Sequence, residues 1–185
     1  CTLAAEIDDE AMKAAFAKVF PVEPIRAKVR EVSVVDTQTG EIDGRLYRFT
    51  VPSVRAYPFQ WFWDSCFHAI VWSRFDAERA ADELRGLLAV QEPDGLIPHV
   101  VFWKGDLVSR LQWHHLESRT AGRVPFHRTP YTTAQIQPPV LAQAVERVVD
   151  AGAGRFLTEA LPHLERYYRH LAALRDPDED GLISI

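Results

Sequence analysis

The sequence predicts an all-α chain made of helical hairpins, with a small β-hairpin near its N-terminus. Three observations lead there. Two stretches, about 64–92 and 138–174, each hold two runs of apolar residues at helical spacing. Both pairs of helices end in related turns, Glu92-Pro93-Asp94-Gly95-Leu96-Ile97 and Asp176-Pro177-Asp178-Glu179-Asp180-Gly181-Leu182-Ile183. Only residues 29–51 show β-branched and aromatic runs on either side of a Thr, Asp and Gly-rich stretch.

Residues 6–20 open with acidic capping candidates and repeat apolar side chains at Met12, Ala15, Phe16 and Val19, which predicts a short helix ended by Pro21. Val29 to Val51 follows as a hairpin with a loose turn. After Pro58, Asp64 or Ser65 is placed to cap a helix reaching about Arg74. Asp76 then caps a second helix, with Ala80, Leu84, Leu87 and Leu88 facing inward and Arg79, Glu83 and Arg85 facing outward. Pro93-Asp94-Gly95 turns the chain. Residues 106–130 show no clear period and read as an elaborated loop with one short helix.

Pro138-Pro139 leads into a third helix with Val140, Leu141, Ala144, Val145 and Val148 as its apolar face, and Gly152 stops it. A fourth runs from about Arg155 to Leu174 and accommodates Pro162. The entrances of the two hairpins resemble each other as well, with Tyr57 before the first and Tyr131 before the second. Such units, stacked around an axis, place their long loops at one end. Repeat architectures need at least about three units before a core closes. Only two are present with an irregular lead-in, so more chain is expected beyond Ile185.

Composition narrows the function. A chain of 185 residues that is 47% hydrophobic and 25% charged lies in the globular range. Its net charge of -5 lacks the basic surface that phosphate backbones require, which argues against nucleic acid. The apolar runs fall short of the roughly 20 residues that span a bilayer, so no membrane role is expected. Cys1 and Cys66 suggest neither a disulfide framework nor a zinc site. No secretory pattern opens the chain, and a cytoplasmic location is the expectation.

Aromatic residues supply the functional signal, because several cluster beside polar groups. The densest cluster is Tyr57-Pro58-Phe59-Gln60-Trp61-Phe62-Trp63-Asp64-Ser65. An aromatic wall beside a carboxylate can stack on one face of a pyranose while the anion accepts hydrogen bonds from neighbouring hydroxyls. The same residues also fit a capping Asp beside hydrophobic packing.

Four motifs in order, YPFQWFWDSCFHAI, DGLIPHVVF, TTAQIQPPVLAQAV and DPDEDGLISI, make the chain from Thr50 to Ile185 resemble glycoside hydrolase family 63, in particular its mannosylglycerate and glucosylglycerate hydrolase group. The resemblance implies the first part of an (α/α) six-hairpin toroid, with residues 1–49 as a lead-in and 50–185 as the start of the glycosidase domain. It implies an inverting hydrolase of an α-linked glucosyl or mannosyl unit, a small carbohydrate substrate and no cofactor. Tyr57, Trp61 and Asp64 become pocket residues, with Asp64 on the hydroxyls of the non-reducing-end sugar. Gln137 becomes a further contact, and Trp63 and His99 become wall residues. Inversion needs an acid and a base about 6.5–9.5 Å apart. In the family both come from later segments, so the catalytic pair is expected downstream of Ile185. An α,α-trehalase-like hydrolase and a helical-repeat binding module are the alternatives.

No metal site is expected. Asp176, Asp178, Asp180 and Gly181 match the first half of a calcium loop, but Pro177 and the missing downstream Glu count against it. His114, His115 and His127 with Glu117 lack a metal-binding register. His163 and His170, on a helix with Glu165 and Arg166, read as a solvated face.

Overall fold

A computed structural model describes residues 22–104, 130–133, 135–176, 178–181 and 183. The predicted helix at 6–20 and the His114 to His127 segment lie outside the described residues. The chain divides into two compact units, Cys1–Val35 and Asp36–Ile185.

In the first unit, helix α1 covers Val22–Val35. This corrects the expectation of a β-hairpin starting at Val29. Pro24 is tolerated because it stands in the first turn. Lys28 and Glu31, three positions apart, pair at 2.8 Å and support a helix that its valines alone would not favour.

The second unit begins with strands β1 (Thr37–Ile42) and β2 (Arg45–Thr50), paired antiparallel with Thr37 opposite Thr50 and Ile42 opposite Arg45. The connection is a tight two-residue turn, not a loose one. Asp43 and Gly44 both have positive φ, 49° and 80°, the geometry that matches the right-handed twist of a hairpin. Strand β3 (Gln60–Trp61) runs straight into helix α2 (Phe62–Trp72), and helix α3 (Ala77–Ala89) follows. The Asp76 carboxylate accepts the Arg79 N–H at 2.9 Å, the predicted cap. Gly95 then turns the chain at φ 99°, where a Cβ would lie 2.3 Å from the Arg166 carbonyl oxygen.

Strand β4 (Val100–Phe102) lies between β3 and strand β5 (Tyr131–Thr132), antiparallel to both. The two entrance segments that looked like repeats therefore join a single sheet. Strands of two or three residues are too short for alternation to show in sequence. Helices α4 (Leu141–Asp150) and α5 (Gly154–Leu174) form the second hairpin, separated by Gly152 at φ 119°. Helices α2 to α5 pack on one core that includes Phe62, Leu84, Leu87, Leu141, Phe156 and Tyr167. The chain is thus rich in helix, with two small antiparallel sheets among the described residues. No helix among the described residues is long and apolar enough to cross a membrane.

Two charged residues of α3 overturn their sequence assignment. Arg79 is 6% exposed and Glu83 is 0% exposed, because the β1–β2 hairpin covers the face of α3 that their charge assigned to solvent. They pair at 3.1 Å. The Glu83 carboxylate accepts the Thr50 N–H at 2.8 and 2.9 Å, the Thr50 hydroxyl at 2.9 Å and the Ser65 hydroxyl at 2.9 Å. Thr50 Oγ1 in turn accepts the Trp72 indole N–H at 3.0 Å, and Ser65 Oγ accepts Gln60 Nε2 at 3.1 Å. Gln60 Oε1 accepts the Trp103 indole N–H at 2.8 Å. Burial pushes the Glu83 carboxyl upward, while Arg79 and the hydrogen bonds from Thr50 and Ser65 oppose that shift. The outlying histidines also differ from expectation. His170 is buried with Nδ1 3.2 Å from the Asp94 carbonyl, and His163 is half-buried with Nδ1 2.7 Å from Gln91 Oε1. The turn from α3 docks on α5 and removes both from the solvated face.

Candidate functional site

The site residues gather where β3 becomes α2. The first N–H groups of a helix have no partner inside it and need acceptors from elsewhere. Trp61, in extended conformation, holds the N-cap position and contributes no side-chain cap. Neither Asp64 nor Ser65 takes the cap role the sequence suggested. Instead the His99 carbonyl accepts the Phe62 N–H at 2.9 Å, and Gln137 Oε1 accepts the Trp63 N–H at 3.0 Å. Asp64, one position on, accepts from its own N–H and from the Trp63 side chain. Segments far apart in sequence thus meet at one helix end, where a carboxylate is also favoured by the helix dipole.

Asp64 is half-buried. Burial pushes its carboxyl above the usual Asp range, and the two hydrogen bonds partly restrain that rise. Such a group faces solvent enough to receive hydroxyl donors.

Strand alternation separates Gln60 from Trp61. Gln60 is fully buried against α3 and Trp103, whereas Trp61 packs on the opposite sheet face with Val100, Phe102 and Tyr131. Trp61 meets Tyr57 edge-on at 6.0 Å and His99 edge-on at 5.9 Å. Tyr57, Trp61 and His99 therefore form one aromatic row. Tyr57 is 51% exposed, leaving part of that row open. Trp63, 40% exposed, tilts against Phe67 at 6.2 Å and stands apart from the row beside Asp64. His99 is buried, its Nδ1 2.6 Å from the Thr133 hydroxyl, and burial pushes its pKa down to about 4. Its imidazole is accordingly neutral near pH 7.

Two cavities in the same unit contain none of the predicted sugar contacts. One, of about 230 Å³, lies between β2, α3 and α5 with Arg45, Arg85, Glu159 and His163 in its wall. Another, of about 400 Å³, lies beside the Pro93 turn and includes Glu41, Glu92 and Thr132. At the C-terminal turn, the carboxylates of Asp176, Asp178 and Asp180 come within 4.8 Å of one another. Asp176 already accepts the Gly181 N–H at 3.2 Å.

Sequence reasoning missed the buried polar cluster behind the site, although a signal was available. Arg79 and Glu83 are four positions apart within a stripe that also holds Ala80, Leu84 and Leu87. An ion pair inside an apolar stripe marks a face that something polar must cover.

Residues 57–185 match the family described as the mannosylglycerate hydrolase MGH1-like glycoside hydrolase domain. The mannosylglycerate hydrolase of Thermus thermophilus is 38% identical over 149 residues, covering 74% of this chain and 33% of the relative. The glucosylglycerate hydrolase of Mycolicibacterium hassiacum is 35% identical over 142 residues, covering 70% of this chain and 31% of the relative. A crystal structure of the family 63 mannosylglycerate hydrolase from Thermus thermophilus, in complex with Tris and D-glycerate, superposes at TM-score 0.65 with 32% identity, over 86% of this chain and 36% of that one. The chain thus spans about a third of the length of the relatives it matches. The ordered motifs, the fold and these relatives agree, and the chain belongs to the mannosylglycerate hydrolase MGH1-like glycoside hydrolase family.

Proposed function

We propose that this chain forms part of the sugar pocket of an inverting glycoside hydrolase acting on a glycerate glycoside with an α-linked mannosyl or glucosyl unit. In this reading Asp64 accepts hydrogen bonds from hydroxyls of the non-reducing-end hexose. Tyr57 and Trp61 offer the apolar wall, with Trp63 and His99 at its margins, and Gln137 adds a polar contact through its Nε2 amide. The observation that carries the reading is the junction of β3 and α2, where the His99 carbonyl, Gln137 and Asp64 meet beside an aromatic row that is open at Tyr57. The helical hairpins belong to an (α/α) toroid of six such units. The proton-transferring carboxylates come from segments other than residues 57–185, so Asp64 has a binding role.

The test is hydrolysis of mannosylglycerate, glucosylglycerate and trehalose by the protein that carries this chain, together with calorimetric titration of mannose and glucose. Turnover of a glycerate glycoside and inactivity on trehalose are expected. Asp64→Ala should abolish hexose binding while the melting temperature stays within a few degrees of the parent, since a half-buried polar residue outside the core costs little when removed. Retained hexose affinity in Asp64→Ala with a loss confined to kcat would instead assign Asp64 to proton transfer and overturn the binding role.

A further inference from the structure

We infer that Glu83 and Ser65 are positioning residues of the sugar site, holding Trp61 and Asp64 from behind. The inference rests on the sugar-pocket reading above. Its geometric basis is an alternation at the β3–α2 junction. Gln60 and Trp61 are neighbours on a strand and face opposite sides, and Asp64 and Ser65 are neighbours on the first turn of a helix, one half-buried and one fully buried. Trp61 and Asp64, two members of the proposed pocket, thus each have an adjacent residue in the buried cluster.

Those adjacent residues belong to one directed network. From one side, Trp103 donates to Gln60, Gln60 to Ser65 at 3.1 Å, and Ser65 to Glu83 Oε1 at 2.9 Å. From the other, Trp72 donates to Thr50, and Thr50 to Glu83 Oε2 at 2.9 Å. Gln60 Nε2 also donates to the Glu83 carbonyl at 3.2 Å. Both arms end at Glu83, whose carboxylate carries no proton and accepts from the Ser65 and Thr50 hydroxyls. Its charge is matched by Arg79 at 3.1 Å. An amide at this position would present an N–H group where a hydroxyl already donates, and the arm through Ser65 and Gln60 would lose its direction. Ordinary packing does not explain this chemistry, since an apolar core would fill the same space without fixing the orientation of the Ser65 and Gln60 backbone.

The experiment measures glucose and mannose affinity by calorimetry in the protein that carries this chain, for Ser65→Ala, Glu83→Gln, Asp64→Ala and Asp76→Ala. Asp76 caps α3 by accepting from the Arg79 main-chain N–H, and its carboxylate bonds no side chain of the network, so Asp76→Ala reports what loss of the α3 cap does while every side-chain bond of the network is left in place. At a temperature where every variant is folded, Ser65→Ala and Glu83→Gln should each weaken hexose binding by about tenfold or more, and Asp76→Ala should bind like the parent. Ser65→Ala leaves Glu83 its Thr50 and Arg79 partners, so it decides the matter even if Glu83→Gln does not fold. Where kcat can be measured, the loss should appear mainly in KM. If Asp64→Ala abolishes binding while Ser65→Ala and any folded Glu83→Gln bind normally, the positioning role is wrong and the pocket reading stands. Equal weakening in Asp76→Ala would also overturn the positioning role. If Asp64→Ala binds normally, the pocket reading falls and this inference with it.

Discussion

Gly40→Ala offers a sharp test of how the β1–β2 hairpin is seated. Gly40 lies opposite Tyr47 in the hairpin, and the indole of Trp103 crosses it. That ring stacks with Tyr47 and Phe49, each at 5.6 Å between centroids. A Cβ on residue 40 would lie 2.1 Å from Trp103 Cε3, so the ring must retreat roughly 1.5 Å to reach ordinary van der Waals distance. Such a movement breaks the 2.8 Å hydrogen bond from the Trp103 indole to Gln60. Overpacking costs about 1–3 kcal/mol. The buried donor and acceptor left without each other cost about 1–3 kcal/mol more. Alanine recovers about 0.5–1 kcal/mol over glycine in a strand. The balance is a destabilisation of about 1–5.5 kcal/mol, centred near about 3 kcal/mol. Urea unfolding followed by circular dichroism measures it, with Gly44→Ala as the reference. Gly44 has φ 80° and nothing within 4 Å of its absent Cβ, so its replacement carries only the backbone cost of about 1 kcal/mol. If Gly40→Ala proves no less stable than Gly44→Ala, the reasoning is refuted.

Three further outcomes are expected. Gly95→Ala should be more destabilising than Gly152→Ala in the same urea assay, because both have positive φ but only Gly95 would drive its Cβ into backbone, at the Arg166 carbonyl. Asp76→Ala should lower stability by about 1 kcal/mol through loss of the α3 cap, and Asp76→Asn should restore most of it. Burial pushes the pKa values of His68 and His99 down to about 4, so the unfolded chain takes up protons near pH 6.5 that the folded chain refuses. Stability is therefore fully present above pH 6.5 and declines toward pH 4 with a slope of at most about 1.4 kcal/mol per pH unit for each residue. A urea midpoint that does not fall between about pH 6.5 and 4.5, or a slope that His68→Gln leaves unchanged, would contradict this.

The two helical hairpins were legible because Leu84, Leu87, Leu141, Val145 and Val148 repeat at helical spacing and are buried as that spacing requires. Asp76 and Gly95 were legible because capping and positive φ select few residue types. The failures share a cause. Arg79, Glu83 and His170 were assigned to solvent by residue type, yet a hairpin and a turn from elsewhere in the chain cover the faces they occupy. Local pattern does not encode which distant segment docks. The same limit hid the three-stranded sheet, whose strands form only when three segments meet. Asp64 was singled out by its aromatic company, and the structure places it half-buried at the start of α2. Gln137 came from the resemblance, and its bond to the Trp63 N–H depended on the loop geometry.

The buried cluster also gives the molecule a built-in optical sensor. Trp72 and Trp103 stand on its two arms, buried and with their indole N–H groups hydrogen-bonded, whereas Trp63 is 40% exposed. Lifting the β1–β2 hairpin from α3 would wet the first two indoles together and shift their emission to longer wavelength, while the Trp63 contribution would change little. Intrinsic fluorescence can therefore report the seating of the hairpin without any attached dye.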